Sequence, residues 1–173
     1  MKIIALDGID GAGKTTHAKK LAEELPNALY IHLPTSELPY TLIKEGCSPV
    51  LITFFFLYDI AGVNLAIELL QEEKDYIILD RWVHSFLVYQ KVLRGFSRED
   101  LEKALETRQI KRADITIFLD TPKGTFSDVH TDTAIREGFA YYAQKENIPV
   151  IMSNEAFGIT HEKIKEIIKR SLK

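Results

Sequence analysis

The sequence predicts an α/β fold, three layers in which helices cover both faces of a central five-stranded parallel sheet, and three observations carry that prediction. Short apolar runs of strand length recur along the chain. The segments between them have helical periodicity, and the first run leads through a glycine-rich turn straight into such a segment. Ile3 to Leu6 is the first strand, and "TTHAKKLAEEL" after the turn is the first helix. Leu29 to Leu33 is the second strand. "SPVLITFFFLYDIAGVNLAIELLQEE" contains a strand-like core, but its length and the apolar residues continuing through Val63, Ala66, Ile67 and Leu70 favour a long buried helix. Tyr76 to Leu79 is the third strand, "SREDLEKALETRQI" a helix, and Ile115 to Leu119 the fourth strand. Asp132 or Thr133 then has the character of an N-cap, with Ile135, Phe139 and Tyr142 on one face of the helix it opens. Val150 to Met152 is a weaker fifth strand. The last segment, "HEKIKEIIKRSLK", sets Ile164, Ile167, Ile168 and Leu172 at helical spacing, and its cations suit a helix C-terminus.

A chain of 173 residues is long enough for one domain with a real core, and residues 1–173 are read as one domain. A net charge of −3 and a pI near 6.0 give no global basic field, so neither nucleic acid nor an anionic membrane is an expected partner. One cysteine, Cys47, excludes an internal disulfide and a cysteine-based zinc site. Histidines 17, 32, 84, 130 and 161 lack metal-ligand spacing and read as surface or loop residues. The N-terminus enters a strand-like run without a secretory leader, and the longest apolar run, "PVLITFFFLY", is about half a membrane helix. A soluble, cytoplasmic protein is expected.

The chemistry concentrates in "LDGIDGAGKTT". Gly8-Ile9-Asp10-Gly11-Ala12-Gly13-Lys14-Thr15 satisfies G-x-x-x-x-G-K-[ST], and it lies between a strand and a helix. Glycines let successive N–H groups turn inward as an anion nest, and the helix N-terminus, with Thr16 in its first turn, adds partial positive charge. This is a phosphate-binding loop, and a P-loop NTPase fold is implied. ATP is the expected ligand, with Lys14 on its β/γ-phosphates and the Thr15 hydroxyl on Mg²⁺. Asp80 ends the third strand, where a magnesium carboxylate would sit, and Arg81 beside it is a planar fork suited to phosphoryl oxygens. Asp120, ending "ITIFLD", reads as a turn or cap residue before Thr121-Pro122.

"GIDGAGKTT", "LDRWVHSFLVYQ" and "RADITIFLDTP" resemble the three signature blocks of the thymidylate kinases, in the same order, and "PTSELPYTLIKEG" resembles that family's substrate loop. The resemblance implies a nucleoside monophosphate kinase that phosphorylates a deoxynucleoside monophosphate, dTMP first, with ATP and Mg²⁺. It implies that Asp10 addresses the acceptor sugar, that Phe56 stacks on the acceptor base and that Arg81 holds the acceptor phosphate. Lys44 falls where the family commonly has a second phosphate-binding arginine, Ser85 belongs to the second block, and Tyr89 would line the sugar-base pocket. The long apolar helix implies a homodimer.

Three features depart from the family pattern. Ile60 stands where an arginine typically reads the thymine edge, and Phe86 stands where a polar residue is common. An apolar pocket discriminates weakly, so acceptor specificity is left open between dTMP and another or broader pyrimidine set. The lid, about residues 121–135, is short. With Gly11 in the phosphate loop the family usually takes a catalytic arginine from the lid, and this chain offers only Arg136, read as a first-turn residue, and Lys123. A catalytically weak, regulatory nucleotide-binding homologue is therefore the third alternative.

Overall fold

The computed structural model describes residues 1–122 and 128–172. Five strands form one sheet: β1 (Lys2–Gly8), β2 (Ala28–His32), β3 (Tyr76–Asp80), β4 (Ile115–Asp120) and β5 (Val150–Met152). All pair in parallel, in the order β2-β3-β1-β4-β5. From β1 the chain crosses to the edge strand β2, returns to β3 beside β1, and then passes to β4 and β5 on the other side, so the chain changes direction across the sheet at β1. Ligands of open α/β sheets collect at the carboxyl ends of strands flanking such a point. The central strands are apolar without alternation because both faces are covered: Ile4, Ala5, Leu6, Ile77, Ile78, Leu79, Ile117 and Leu119 are fully buried.

Among the described residues seven helices pack on the sheet or on one another: α1 (Lys14–Glu24), α2 (Leu38–Lys44), α3 (Pro49–Leu69), α4 (Val83–Arg94), α5 (Arg98–Thr107), α6 (Val129–Glu146) and α7 (Phe157–Ser171). The segment read as a substrate loop thus contains a short helix, α2, which Pro39 near its start favours. The ambiguous apolar segment is the helix α3. Ser48 caps it by accepting from the Leu51 amide at 3.3 Å, and Pro49 fills its first position. Ile52, Leu57, Ile60, Val63 and Ile67 face the core, while Val50, Phe54, Tyr58, Leu65 and Leu69 are exposed. By length and composition α3 could cross a membrane, which the short run "PVLITFFFLY" did not foretell, but its inner face belongs to the hydrophobic core.

The start of α6 corrects the expected cap. Asp128, not Asp132 or Thr133, accepts from the His130 and Thr131 amides at 3.1 Å each. Capturing those first-turn donors starts the helix about one turn earlier, and leaves Asp132 inside the first turn where its charge complements the dipole. Gly138 of α6 lies against Val88 of α4, and a Cβ there would stand 2.8 Å from a Val88 methyl. That close approach seats α6 on the helix that follows Asp80-Arg81.

Candidate active site

The phosphate loop begins where β1 ends. Gly8 has φ 125°, and a Cβ on it would fall 2.0 Å from the Leu119 carbonyl oxygen of β4, so no other residue fits without moving the sheet. Gly11 and Gly13 are left-handed as well, at φ 77° and 80°. Gly13 is the N-cap of α1 and has no side chain to occupy the first amides. Those donors, with the exposed Thr15 and Thr16 beside them, are left for an anion. Ala12 is buried under the loop. Lys14 is buried too, and its ammonium donates to the Ile9 carbonyl. Burial, reinforced by the Arg81 charge, pushes its pKa from 10.5 down to about 7.

Parallel pairing sets Leu6 opposite Asp80 on β3, and His32 of β2 opposite the same residue. The fully buried Asp80 therefore meets three donors at one oxygen, Oδ2: the Thr15 hydroxyl at 2.6 Å, the Tyr30 hydroxyl at 3.1 Å and His32 Nδ1 at 2.8 Å. Its Oδ1 is buried with no hydrogen-bond partner among the described residues. A hydroxyl touching a carboxylate with a spare oxygen is a donor set suited to a hard divalent cation. Among the described residues no cluster of three or more His, Cys, Asp or Glu could hold a metal by itself. Mg²⁺ here would rely on Thr15, Asp80, water and the nucleotide's own oxygens, its usual arrangement beside phosphates.

Arg81 turns the chain at the tip of β3. Its backbone is left-handed, φ 73°, and its amide donates to the Leu6 carbonyl at 3.0 Å. The turn aims the guanidinium back at the loop, where it pairs with Asp10, approaches the Gly8 carbonyl at 3.4 Å and Ser85 Oγ at 3.3 Å, and lies 5.3 Å from the Tyr89 ring centre. Burial works against its charge, but Asp10 and the neighbouring anionic groups raise its pKa overall. The Asp80–Arg81 dipeptide is thus no surface ion pair: the two side chains address different partners.

Asp7, one residue before Gly8, anchors the start of α4. It accepts from the Trp82 amide at 3.0 Å, the Ser85 amide at 3.2 Å and the Ser85 hydroxyl. His84 Nδ1 stands 3.8 Å from its second oxygen, and His84 Nε2 lies 3.0 Å from Glu146 at the end of α6. Burial raises the Asp7 carboxyl, but His84, Ser85 and the Trp82 amide outweigh it and hold it below its ordinary value. The same pairing outweighs burial at His84 and raises the imidazole.

Beside this mouth lies a cavity of about 540 Å³. Asp10, Arg81, Ser85 and Tyr89 line the end nearest the phosphate loop. Phe56 and Tyr40, edge to face with centres 6.2 Å apart, line its wall. Ile60 and Phe86, both 4% exposed, line it as well. Lys44 does not line it. It ends α2 as an exposed residue, and Arg94 from the end of α4 is a second arginine that does line the cavity.

On the lid side, Arg136 sits in the second turn of α6, not the first, and is paired while still partly exposed: it donates to Asp120 and to the Thr121 carbonyl. Asp120 also accepts from the Thr121 amide at 2.7 Å, so it combines the turn role with an ion pair. Lys123 lies outside the described residues.

Three histidines read as surface residues are buried: His17, His84 and His161. His17 and His161 approach through ring nitrogens at 3.2 Å, although they are 144 residues apart, and burial with the neighbouring His161 lowers His17 to about 4. Sequence reasoning missed Tyr30, His32 and Arg94. The register of β2 on β3 was the only signal for the first two, and it is not visible before the sheet order is known.

A family model described as thymidylate kinase matches residues 6–164. A probable thymidylate kinase from Sulfurisphaera tokodaii is 39% identical over 127 residues, 69% of this chain and 63% of that protein. One from Methanococcus vannielii is 35% identical over 125 residues, 69% of this chain and 60% of that protein. The chain thus spans under two thirds of the length of these two relatives. A probable thymidylate kinase 1 from Saccharolobus solfataricus is 27% identical over nearly the whole of both chains, 99% and 98%. The crystal structure of thymidylate kinase from Ehrlichia chaffeensis superposes with a TM-score of 0.82 at 23% identity, covering 96% of this chain and 98% of that one, a likeness of fold.

Proposed function

The chain belongs to the thymidylate kinase family, and from that premise we propose that it transfers the γ-phosphoryl group of ATP to a deoxynucleoside monophosphate, dTMP first among acceptors. The observation that carries this reading is the meeting of two phosphate devices at one mouth: the open amides of α1 with Lys14, and the Arg81 fork across from them at the entrance to the cavity. In-line phosphoryl transfer requires placement and charge neutralisation more than covalent help. The loop amides from Gly11 to Thr16 and Lys14 hold the donor tail. Arg81 presents the acceptor phosphate, Asp10 and Tyr89 frame the sugar, and Phe56 offers its face to the base. Thr15 and Asp80 would hold Mg²⁺, which when bound supplies charge neutralisation at the phosphate oxygens. Arg136 is a lid-side cation among the described residues, held by Asp120 until a nucleotide competes for it. Residues 1–173 act as one kinase domain with a short lid at about 121–135.

An ADP-release assay over a panel of nucleoside monophosphates tests the proposal, with turnover highest for dTMP as the expected result and no turnover with any acceptor as the contrary one. Ile60 and Phe86 favour one second reading, a pyrimidine kinase of broader specificity. Comparable kcat/KM for dTMP, dUMP and dCMP would select it.

The exposed stripe Val50, Phe54, Tyr58, Leu65 and Leu69 on α3 is an apolar seam at helical spacing, with Gly62 open beside it. A second copy packing α3 on α3 would cover it, giving a soluble cytoplasmic homodimer. Sedimentation at micromolar concentration is expected to give a dimer, and Tyr58→Glu, in the middle of the seam, a monomer. A wild-type monomer would remove the seam as an interface.

A further inference from the structure

The cavity has a polar end and a nearly apolar end, and the second is described by what its polar residues are doing. Ile52, Ile60, Phe86 and Leu93 line it with hydrocarbon. Asp59 lines it too, but its carboxylate is engaged: Oδ2 accepts from the Thr35 amide at 2.8 Å, and Oδ1 from the Thr35 hydroxyl. Gln90 lines it with its Oε1 engaged by the Thr53 hydroxyl at 2.9 Å. Arg94 is different. It has no hydrogen bond or ion pair among the described residues, and its Nε is buried without a partner. Its guanidinium carbon lies 5.8 Å from the centre of the Phe56 ring.

A half-buried guanidinium with no acceptor is costly to keep idle, because each buried donor left unpaired forfeits its hydration. Position at the end of α4 accounts for a cation, since it complements the helix dipole, but Lys91 in the same turn does that from solvent. Helical side chains lean back over the preceding turn, and here that lean carries Arg94 toward Phe56 and into the cavity. A planar base laid against Phe56 comes within reach of the fork. An arginine only donates, so it is satisfied by a ring carbonyl and opposed by an exocyclic amine in the same place.

We propose that Arg94 is the base-reading residue of this cavity, donating to a ring carbonyl and so favouring 4-oxopyrimidine over 4-aminopyrimidine nucleotides. The assignment rests on the kinase reading above and deepens it. Specificity then comes from one charged donor on α4, while the α3 side, where Ile60 stands, contributes contact area.

Equilibrium binding and kcat/KM for dTMP and dCMP, in wild type, Arg94→Met and Arg94→Lys, test it. Methionine keeps the unbranched stem over Phe56 and removes every donor. Wild type is expected to prefer dTMP, and Arg94→Met to lose dTMP affinity by about tenfold to a hundredfold with dCMP changed far less, so that the preference collapses. The loss should appear in KM more than in kcat, Arg94→Lys should recover part of it, and thermal melting should show Arg94→Met folded. Equal loss for both nucleotides, or none, overturns the assignment. Wild type that binds dTMP through Arg94 yet transfers no phosphoryl group overturns the kinase reading and leaves the assignment standing. Wild type that binds neither nucleotide overturns both.

Discussion

Lys14→Met is expected to lower phosphoryl transfer by about 10²–10³-fold and, at the same time, to make the nucleotide-free protein more stable at neutral pH. The two effects share one cause. Lys14 is 4% exposed, and among the described residues its ammonium hydrogen-bonds only to the Ile9 carbonyl. Burial first, and the Arg81 charge second, depress its pKa to about 7, which is a measure of how much the folded protein without a ligand disfavours the charged form. A triphosphate tail in the loop restores the charge and gives it a partner. The sign of the pH dependence follows. Between about 7 and 10.5 the unfolded chain holds the Lys14 proton and the folded one has released it, so this group makes stability rise with pH across that window. Methionine removes the rise. Urea denaturation of both proteins at about pH 7 and about pH 9 checks the stability half, and steady-state turnover checks the other. Unchanged turnover in Lys14→Met would remove the lysine from the reaction, and a stability difference independent of pH would remove the buried ammonium from the account.

Arg81→Met is the second large effect. The guanidinium holds Asp10 and Ser85 in the resting site and puts a permanently charged fork at the cavity mouth. Two charged hydrogen bonds to an acceptor phosphate, at about 1.5–3 kcal/mol each, amount to about 10²–10⁴-fold in kcat/KM. The loss belongs to the acceptor: ATP affinity should change by much less, because the α1 amides and Lys14 are intact. Arg81→Lys restores charge without the fork and should recover only part of the rate. Separate titrations of donor and acceptor distinguish this from general damage. Equal losses on both substrates would mean that Arg81 organises the loop and does not hold the acceptor.

The strands were legible because a sheet covered on both faces needs uninterrupted apolar runs, and residues 3–6 and 77–79 are of that kind. The phosphate loop was legible because Gly8, Gly11 and Gly13 satisfy backbone geometry that leaves its mark in composition. What resisted reading was assembled across long separations. Asp80 collects Thr15 from α1 and Tyr30 and His32 from β2, and His17 finds His161 from the far end of the chain. No local pattern announces such contacts. The start of α6 was misplaced because Asp128 and Asp132 both resemble caps, and only the amide geometry selects between them. Arg94 was passed over because a cation closing a helix is ordinary until its surroundings are seen.

The left-handed backbone of Arg81 sets thermal endurance against activity at a single residue. That conformation costs a side-chain-bearing residue about 1–2 kcal/mol and a glycine almost nothing. Arg81→Gly should therefore melt above Arg81→Ala, while both are equally inert toward an acceptor. Backbone strain alone would favour glycine here, so the arginine is held in place by what its side chain grips.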